Sequence, residues 1–324
     1  MSQPVVVSEG LCKWYGKVVG INELTVDIPP GVTGLLGPNG AGKSTLIKLL
    51  VGALRPSRGK LQVLGQKVWR NRDLLAHIGY CPDHDGVHED LSGTEFVAFL
   101  ARLSGVPADK ANRRAEETLD RLGLADARHR PIGHYSKGMR QRAKLAQAIV
   151  HQPDLLLLDE PLTGCDPLAR VQLVKIIKEL GDEGKVVIVS SHILHEIEAM
   201  TDEIILLYKG QVLANGNIYR IREMIDAHPH KIEIHCDDSR ALAKYLVGDQ
   251  SVHSLAFSND NVVTVQTRMP DQCYPLIANA ALDNGFKISG LNSPDNNLQS
   301  IFKYLTEDRS PEGVAQRGTT GGKR

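Results

Sequence analysis

The sequence predicts an α/β domain built on a largely parallel sheet, with antiparallel β and helical subdomains, followed by a small α+β domain of ferredoxin-like order. Three observations predict it. From residue 5 to about 217, short Val/Ile/Leu-rich runs alternate with helical stretches, and Gly, Pro and Asn punctuate the joins, the pattern of a parallel sheet flanked by helices. A glycine-rich string at 37–45 follows an apolar strand and opens an apolar helix, the setting in which a loop can cradle phosphate. From Lys231 the pattern restarts in β-α-β-β-α-β order, that of a ferredoxin-like unit.

Taken in order, residues 5–7, 18–19 and 24–28 lie too close together for crossover helices and are expected as antiparallel strands. Residues 32–36 form the strand entering the glycine-rich loop, and 46–51 the helix leaving it. Between 84 and 150 the β signals fade, and 94–103, 111–122 and 139–150 carry apolar residues at helical spacing, which marks an inserted helical subdomain. Residues 155–158 are all leucine, as a strand buried on both faces requires, and that strand is expected beside 32–36. The first domain is read as 1–217.

A short amphipathic stretch, 218–225, leads to His228-Pro229-His230, where the proline ends the helix, so 218–230 reads as a linker. An accessory domain, 231–307, then follows as strand 232–235, helix 239–247, strands 252–256 and 262–267, helix 271–284, strand 287–291 and helix 297–306. Residues 308–324 are Gly-, Ser- and Thr-rich with little to bury and are expected to be a disordered tail.

Composition narrows the function classes. With 324 residues, 42% of them hydrophobic and 23% charged, the chain can build one large core and one small one. No apolar run approaches the ~20 residues of a membrane-spanning helix, and the N-terminus lacks the segments of a signal peptide. Lys plus Arg (38) equals Asp plus Glu (38), so no net field draws the chain to nucleic acid. Five cysteines at scattered positions, Cys12, Cys81, Cys165, Cys236 and Cys273, argue against a disulfide framework or a zinc site. A reduced, cytosolic chain is expected.

The string Gly37-Pro38-Asn39-Gly40-Ala41-Gly42-Lys43-Ser44-Thr45 has a chemical reason at each kind of position. Glycines let backbone N–H groups turn toward phosphate oxygens, and the helix N-terminus adds partial positive charge. Lys43 bridges the β- and γ-phosphates, Ser44 offers a hard oxygen to Mg²⁺, and Thr45 donates to the α-phosphate. The leucine strand ends in Asp159-Glu160. Alone, these would read as solvated acids closing a buried strand. Beside a phosphate loop, Asp159 holds the Mg²⁺ shell and Glu160 polarises the attacking water.

Between these motifs, His134-Tyr135-Ser136-Lys137-Gly138-Met139-Arg140-Gln141-Arg142 stands just ahead of a helix, and here the chain resembles the ABC ATPases, a P-loop NTPase family. The string is similar to that family's signature, with Lys137 at its first glycine, Met139 at its glutamine, and Ser136 and Gly138 retained. This variant resembles the one in ATPase subunits of simple bacterial exporters. The remaining order follows: Tyr15 at the place of the aromatic that stacks on adenine, Gly164-Cys165-Asp166 as the D-loop, and Ser190-Ser191-His192 as the switch histidine. The resemblance, which covers about two-thirds of the chain, implies that His192 reaches the γ-phosphate and Asp166 communicates across a dimer. It also implies that Ser136, Lys137 and Gly138 contact nucleotide.

One position departs from the family. After Ile78-Gly79-Tyr80-Cys81-Pro82 comes Asp83, where a glutamine usually senses Mg²⁺ and the membrane partner. A carboxylate is shorter, donates nothing when ionised and can bind Mg²⁺ directly. The stretch Asp83-His84-Asp85-Gly86-Val87-His88-Glu89-Asp90 mixes metal-ligand types, but nothing pins them to rigid elements. It is expected as a polar loop facing a permease's coupling helices. His228, His230 and His235 are expected to be solvated.

The resemblance implies a transport ATPase: MgATP closes two copies, homodimer or heterodimer, and hydrolysis reopens them to drive a separately encoded integral-membrane permease. The signature variant and the accessory domain, whose 297–306 segment looks like the ending of exporter-type subunits, point to export. The accessory domain reads as a dimerisation or regulatory module. The expected place is cytoplasmic, peripheral on the inner face of the cell membrane. The competing class is a soluble ABC ATPase acting on nucleic acid or ribosomes, which usually carries two cassettes or a long coiled coil. This chain has neither, and no direct nucleic-acid contact is expected.

Overall fold

The computed structural model describes residues 3–84, 86–221, 230–259 and 261–293, which fall into two compact units parting between Ile218 and Tyr219. The first unit runs β1 (Val6–Tyr15), β2 (Val18–Ile28), β3 (Val32–Leu36), α1 (Lys43–Leu50), β4 (Arg58–Val63), β5 (Gln66–Lys67), α2 (Arg72–Leu75) and β6 (Ile78–Cys81). Three helices follow, α3 (Gly93–Leu103), α4 (Ala108–Arg121) and α5 (Lys137–Ile149). The unit closes with β7 (Leu155–Leu158), α6 (Pro167–Asp182), β8 (Val186–Ser191), α7 (Leu194–Glu198), β9 (Glu203–Tyr208) and β10 (Gln211–Asn217).

Two sheets form. The first is antiparallel, in the order β2-β1-β4-β5. The second has the order β10-β9-β3-β8-β7-β6, parallel except for β10 at its edge. The leucine strand therefore does not lie beside β3, as its sequence leads one to expect, because β8 is inserted between them. Both β7 and β8 are buried along their whole length, so hydrophobicity alone cannot order them across the sheet.

One core joins the two sheets through α1. Leu11, Ile21 and Leu24 of the antiparallel sheet pack with Leu46, Ile47 and Leu50 of α1 and with Leu35, Leu157, Ile188 and Leu207 of the parallel sheet. This sets the loop before α1 on a rigid base. On the other side, β6 approaches α5 so closely that a Cβ on Gly79 would stand 2.1 Å from the Ala148 carbonyl oxygen. Only glycine permits that contact.

The three inserted helices have local reasons to form. Ser92 caps α3 in a reciprocal box with Glu95, which satisfies two N–H groups that the first turn leaves open. In α4 the buried residues Ala111, Ala115 and Leu119 repeat every four positions, a single apolar stripe on a charged helix. α5 begins two residues earlier than its apolar pattern implies, because Ser136 caps it by accepting from Met139 N at 3.2 Å.

The second unit consists of β11 (His230–Cys236), α8 (Ser239–Leu246), β12 (Ser254–Asn259), β13 (Val262–Thr267), α9 (Pro270–Asn284) and β14 (Ile288–Asn292). Its sheet is antiparallel in the order β12-β13-β11-β14, the ferredoxin-like arrangement. Ile232, Ile234, Val263 and Val265 meet Leu242, Leu246 and Ile277 of the two helices. Residues 218–221 are helical. The remainder of the expected linker up to 229, the 297–306 helix and the 308–324 tail lie outside the described residues. Among the described residues, no helix is long and apolar enough to cross a membrane.

Candidate functional site

The loop between β3 and α1 is shaped by its glycines. Gly42, at φ 109°, is the N-cap of α1, and a Cβ there would lie 2.7 Å from the Gly20 carbonyl oxygen of β2. No side chain caps α1 and no acid stands in its first turn. Its open N–H groups and partial positive charge face the loop, an anion site by construction. The adjoining pocket, of about 310 Å³, is lined by Tyr15, Val18, Val19, Gly20, residues 39–45, Asp83 and Glu160.

Lys43 is almost buried, at 5% exposure. Its ammonium donates to the carbonyl oxygens of Gly37 at 2.7 Å and Pro38 at 3.4 Å, and it pairs with Glu160 Oε1 at 3.2 Å. Tyr15 is 45% exposed, and its hydroxyl reaches Thr45 Oγ1 at 3.5 Å. That leaves an aromatic ring open at the pocket rim, a surface on which a flat base can stack.

Asp159 is fully buried. Burial raises its carboxyl above the ordinary range, hydrogen bonds from Ser190 and Ser44 pull it down, and the charges of Asp83 and Glu160 raise it further. Ser190 Oγ donates to Asp159 Oδ1 at 2.7 Å and accepts from Glu160 N at 2.9 Å. One hydroxyl thus fixes both acids. It also holds Glu160 at φ 49°, a left-handed conformation that costs a non-glycine residue about 1–3 kcal/mol. The Glu160 carboxylate is gripped by Lys43, by His192 Nδ1 at 2.9 Å and by Thr163 Oγ1 at 3.3 Å.

Asp159 Oδ2 is buried without a hydrogen-bond partner. An orphaned carboxylate oxygen, the Ser44 hydroxyl and the half-exposed Asp83 make a set of hard oxygens, and the residues fit a magnesium ion. Asp83 turns its side chain to His84, with Oδ1 3.3 Å from Nδ1, and its carbonyl oxygen accepts from Lys144 at 3.4 Å. No group of three or more His, Cys, Asp or Glu side chains placed to hold a metal ion occurs among the described residues, and Asp85 and His228 lie outside them. His235 is exposed on β11. The side chain of His230 also lies outside the described residues.

The structure gathers Tyr15, residues 39–45, Asp83, Asp159, Glu160 and His192 in one place, and it puts the other candidates elsewhere. Ser136 caps α5, Lys137 lies over Gly164 so closely that a Cβ there would stand 2.1 Å from its ammonium, and Gly138 abuts Ala169. Asp166 caps α6 by accepting from Ala169 N at 2.9 Å, and buried Gln141 donates to Thr163 O at 3.3 Å. The 136–142 helix start is thereby knitted to the 163–169 turn. None of Ser136, Lys137, Gly138 or Asp166 lines the pocket.

Sequence reasoning passed over Ser190 as a working residue. Its only signal is a hydroxyl at the end of an otherwise apolar strand. It gave no role to Gln141 either.

Asp159→Asn keeps an acceptor for Ser190 and removes a buried charge. The nucleotide-free variant is expected to be more stable by about 1 kcal/mol at neutral pH. A carboxyl whose folded pKa is raised costs stability above that pKa. The gain should therefore fade as pH falls through the carboxylate range. Thermal melts at pH 7.5 and pH 4.5 check both points.

A family model described as ABC transporter matches residues 21–163. The chain is 34% identical over 318 residues to the daunorubicin/doxorubicin resistance ATP-binding protein DrrA of Streptomyces peucetius, covering 96% of each. It is 31% identical over 304 residues to the bacitracin transport ATP-binding protein BcrA of Enterococcus faecalis, covering 93% of this chain and 96% of that one. A solved ATP-binding subunit of an ABC transporter shares the fold at TM-score 0.62 and 28% identity, over 68% of this chain and 93% of its own. Near-full-length likeness of this kind, joined to a phosphate loop with its lysine and two strand-end acids in place, means that the chain belongs to the ATP-binding subunits of ABC transporters and is an ATP hydrolase of that family.

Proposed function

We propose that this chain is one half of an ATP-sandwich dimer, with itself or with a related ATPase subunit, whose closing on MgATP and reopening after hydrolysis drive a separate integral-membrane permease in the export direction. The observation that carries the reading is that Ser136, Lys137 and Gly138 do not line their own chain's pocket. If they act on nucleotide, they do so in the pocket of a second copy. Relatives named for drug resistance and bacitracin transport support a transport role. The membrane partner places the working complex at the inner face of the cell membrane.

Within one chain the residues divide the task. Tyr15 stacks on adenine, and the N–H groups of residues 40–45 hold the phosphates. Lys43, released from Gly37 O and Glu160, moves to the β/γ-phosphates. Ser44 and Asp159 would hold Mg²⁺, with Asp83 beside them, and the ion when bound offsets phosphate charge. Losing Lys43 leaves the Glu160 carboxylate oriented by His192 and Thr163 and free to polarise water. In the sandwich, His192 reaches the γ-phosphate, while Ser136, Lys137, Gly138 and Asp166 act across the seam.

Asp83 offers the test of coupling. ATPase is measured for the chain alone and reconstituted with its permease, which is expected to stimulate the wild type. Asp83→Gln keeps most of the basal rate, because an amide still contacts Mg²⁺ or water. Asp83→Ala keeps hydrolysis and loses the stimulation. Asp83→Ala behaving as wild type in both settings would mean that this loop senses nothing, and a wild type indifferent to the permease would contradict the transport reading.

A further inference from the structure

Tyr80 is a polar side chain at the edge of this site that takes no part in holding the phosphates or polarising water. It lies on β6, paired with Leu157 of β7, and its ring packs against the core beneath the phosphate loop. The ladder runs one step past β7, because Asp159 N donates to Cys81 O at 2.8 Å. Side chains two apart on a strand share a face, so Tyr80, Leu157 and Asp159 point the same way, with Asp159 one pleat further on. The core bears this out: Ile78, Leu155 and Leu157 join the cluster against which Tyr80 packs, and Leu156 and Leu158 do not.

Two buried polar atoms on that face lack a hydrogen-bond partner, Tyr80 Oη and Asp159 Oδ2. Cβ atoms diagonal to each other on neighbouring strands are about 7 Å apart, a span within reach of an aromatic side chain. Burial, then the charges of Asp159 and Asp83, push the phenol up to about 12, so it stays a neutral O–H donor at working pH. Two such atoms that do not bond each other mark a place for a small polar group. A tyrosine that only filled space would leave its buried hydroxyl unexplained, since phenylalanine would fill the same space without it.

Building on the magnesium-site reading, we propose that Tyr80 is a positioning residue of that site, its hydroxyl donating a hydrogen bond to a water of the ion's coordination shell beside Asp159. Magnesium keeps several of its waters when bound to protein. A fixed donor among them orients the shell without adding charge.

Tyr80→Phe removes one oxygen and keeps the ring. Mn²⁺ is titrated by electron paramagnetic resonance into the full-length protein holding a non-hydrolysable ATP analogue. Analogue binding is measured separately in EDTA, and the nucleotide-free protein is melted. Tyr80→Phe is expected to weaken Mn²⁺ binding about 3- to 10-fold, to leave analogue binding in EDTA unchanged and to melt no lower than wild type. Unchanged Mn²⁺ affinity in Tyr80→Phe beside a metal-binding wild type overturns this inference alone. A loss of analogue affinity that is as large in EDTA assigns the hydroxyl to the fold and overturns it too. If wild type and Asp159→Asn bind Mn²⁺ equally, the magnesium-site reading itself fails and this inference falls with it.

Discussion

Lys43→Ala is expected to abolish ATP hydrolysis and to weaken nucleotide binding by about 1.5–3 kcal/mol, the worth of a hydrogen bond to a charged group, or roughly 10- to 100-fold in affinity. The lysine opens α1 and is nearly buried, yet its partners before nucleotide arrives are two loop carbonyls and Glu160. Removing it leaves Glu160 with His192 and Thr163, so no acid is stranded and the fold should persist. The β/γ-phosphates, by contrast, lose the cation that bridges them. Titration with a fluorescent ATP analogue and a phosphate-release assay measure the two effects, with circular dichroism to confirm folding. A variant that turns over like wild type would mean that this loop does not hold the phosphates for hydrolysis.

The other large effect is at Glu160, whose backbone sits at φ 49° and is tied through its N–H to Ser190. Glutamine has the same shape and can keep the backbone bond. It cannot draw a proton from water as a carboxylate does, and general-base assistance is worth about 10²- to 10⁴-fold. Glu160→Gln is therefore expected to lose hydrolysis by about that factor while still binding MgATP. Loss of the charge also removes the Lys43 ion pair that nucleotide has to break, so ATP affinity should hold or rise. Isothermal titration with MgATP checks affinity, and single-turnover hydrolysis checks chemistry.

Much of this site was legible because its signals are local. Residues 37–45 carry their own context, an apolar strand before and an apolar helix after, and the structure puts a glycine N-cap and an uncapped helix there. Asp159 and Glu160 were legible as a pair ending a leucine run. What could not be read was arrangement across the sheet. β7 and β8 are equally buried, so nothing local says that β8 is inserted next to β3, and Ser190, which its insertion brings to Asp159, looked like an ordinary strand end.

The same limit applies to Lys137, whose side chain crosses to Gly164 in a turn 27 positions away, and to Tyr80, which reads as a strand aromatic until its unpartnered hydroxyl is placed on the face of the sheet that Asp159 shares. The second unit was legible for a different reason. Its β-α-β-β-α-β pattern suggests the antiparallel order that is found, in which Ile232, Ile234, Val263 and Val265 are buried together.

In the proposed sandwich two chains close on ATP, each supplying Ser136 to the other's Lys43 and γ-phosphate. Size-exclusion chromatography of Glu160→Gln tests it most directly, because blocked hydrolysis lets the closed state accumulate by mass action. A monomer is expected without nucleotide or with ADP, and a dimer with saturating MgATP. Adding Ser136→Arg, which puts bulk and charge into the seam, is expected to abolish the dimer. A Glu160→Gln protein that stays monomeric in MgATP, or that dimerises equally well with ADP, would contradict the sandwich formed by this chain with itself.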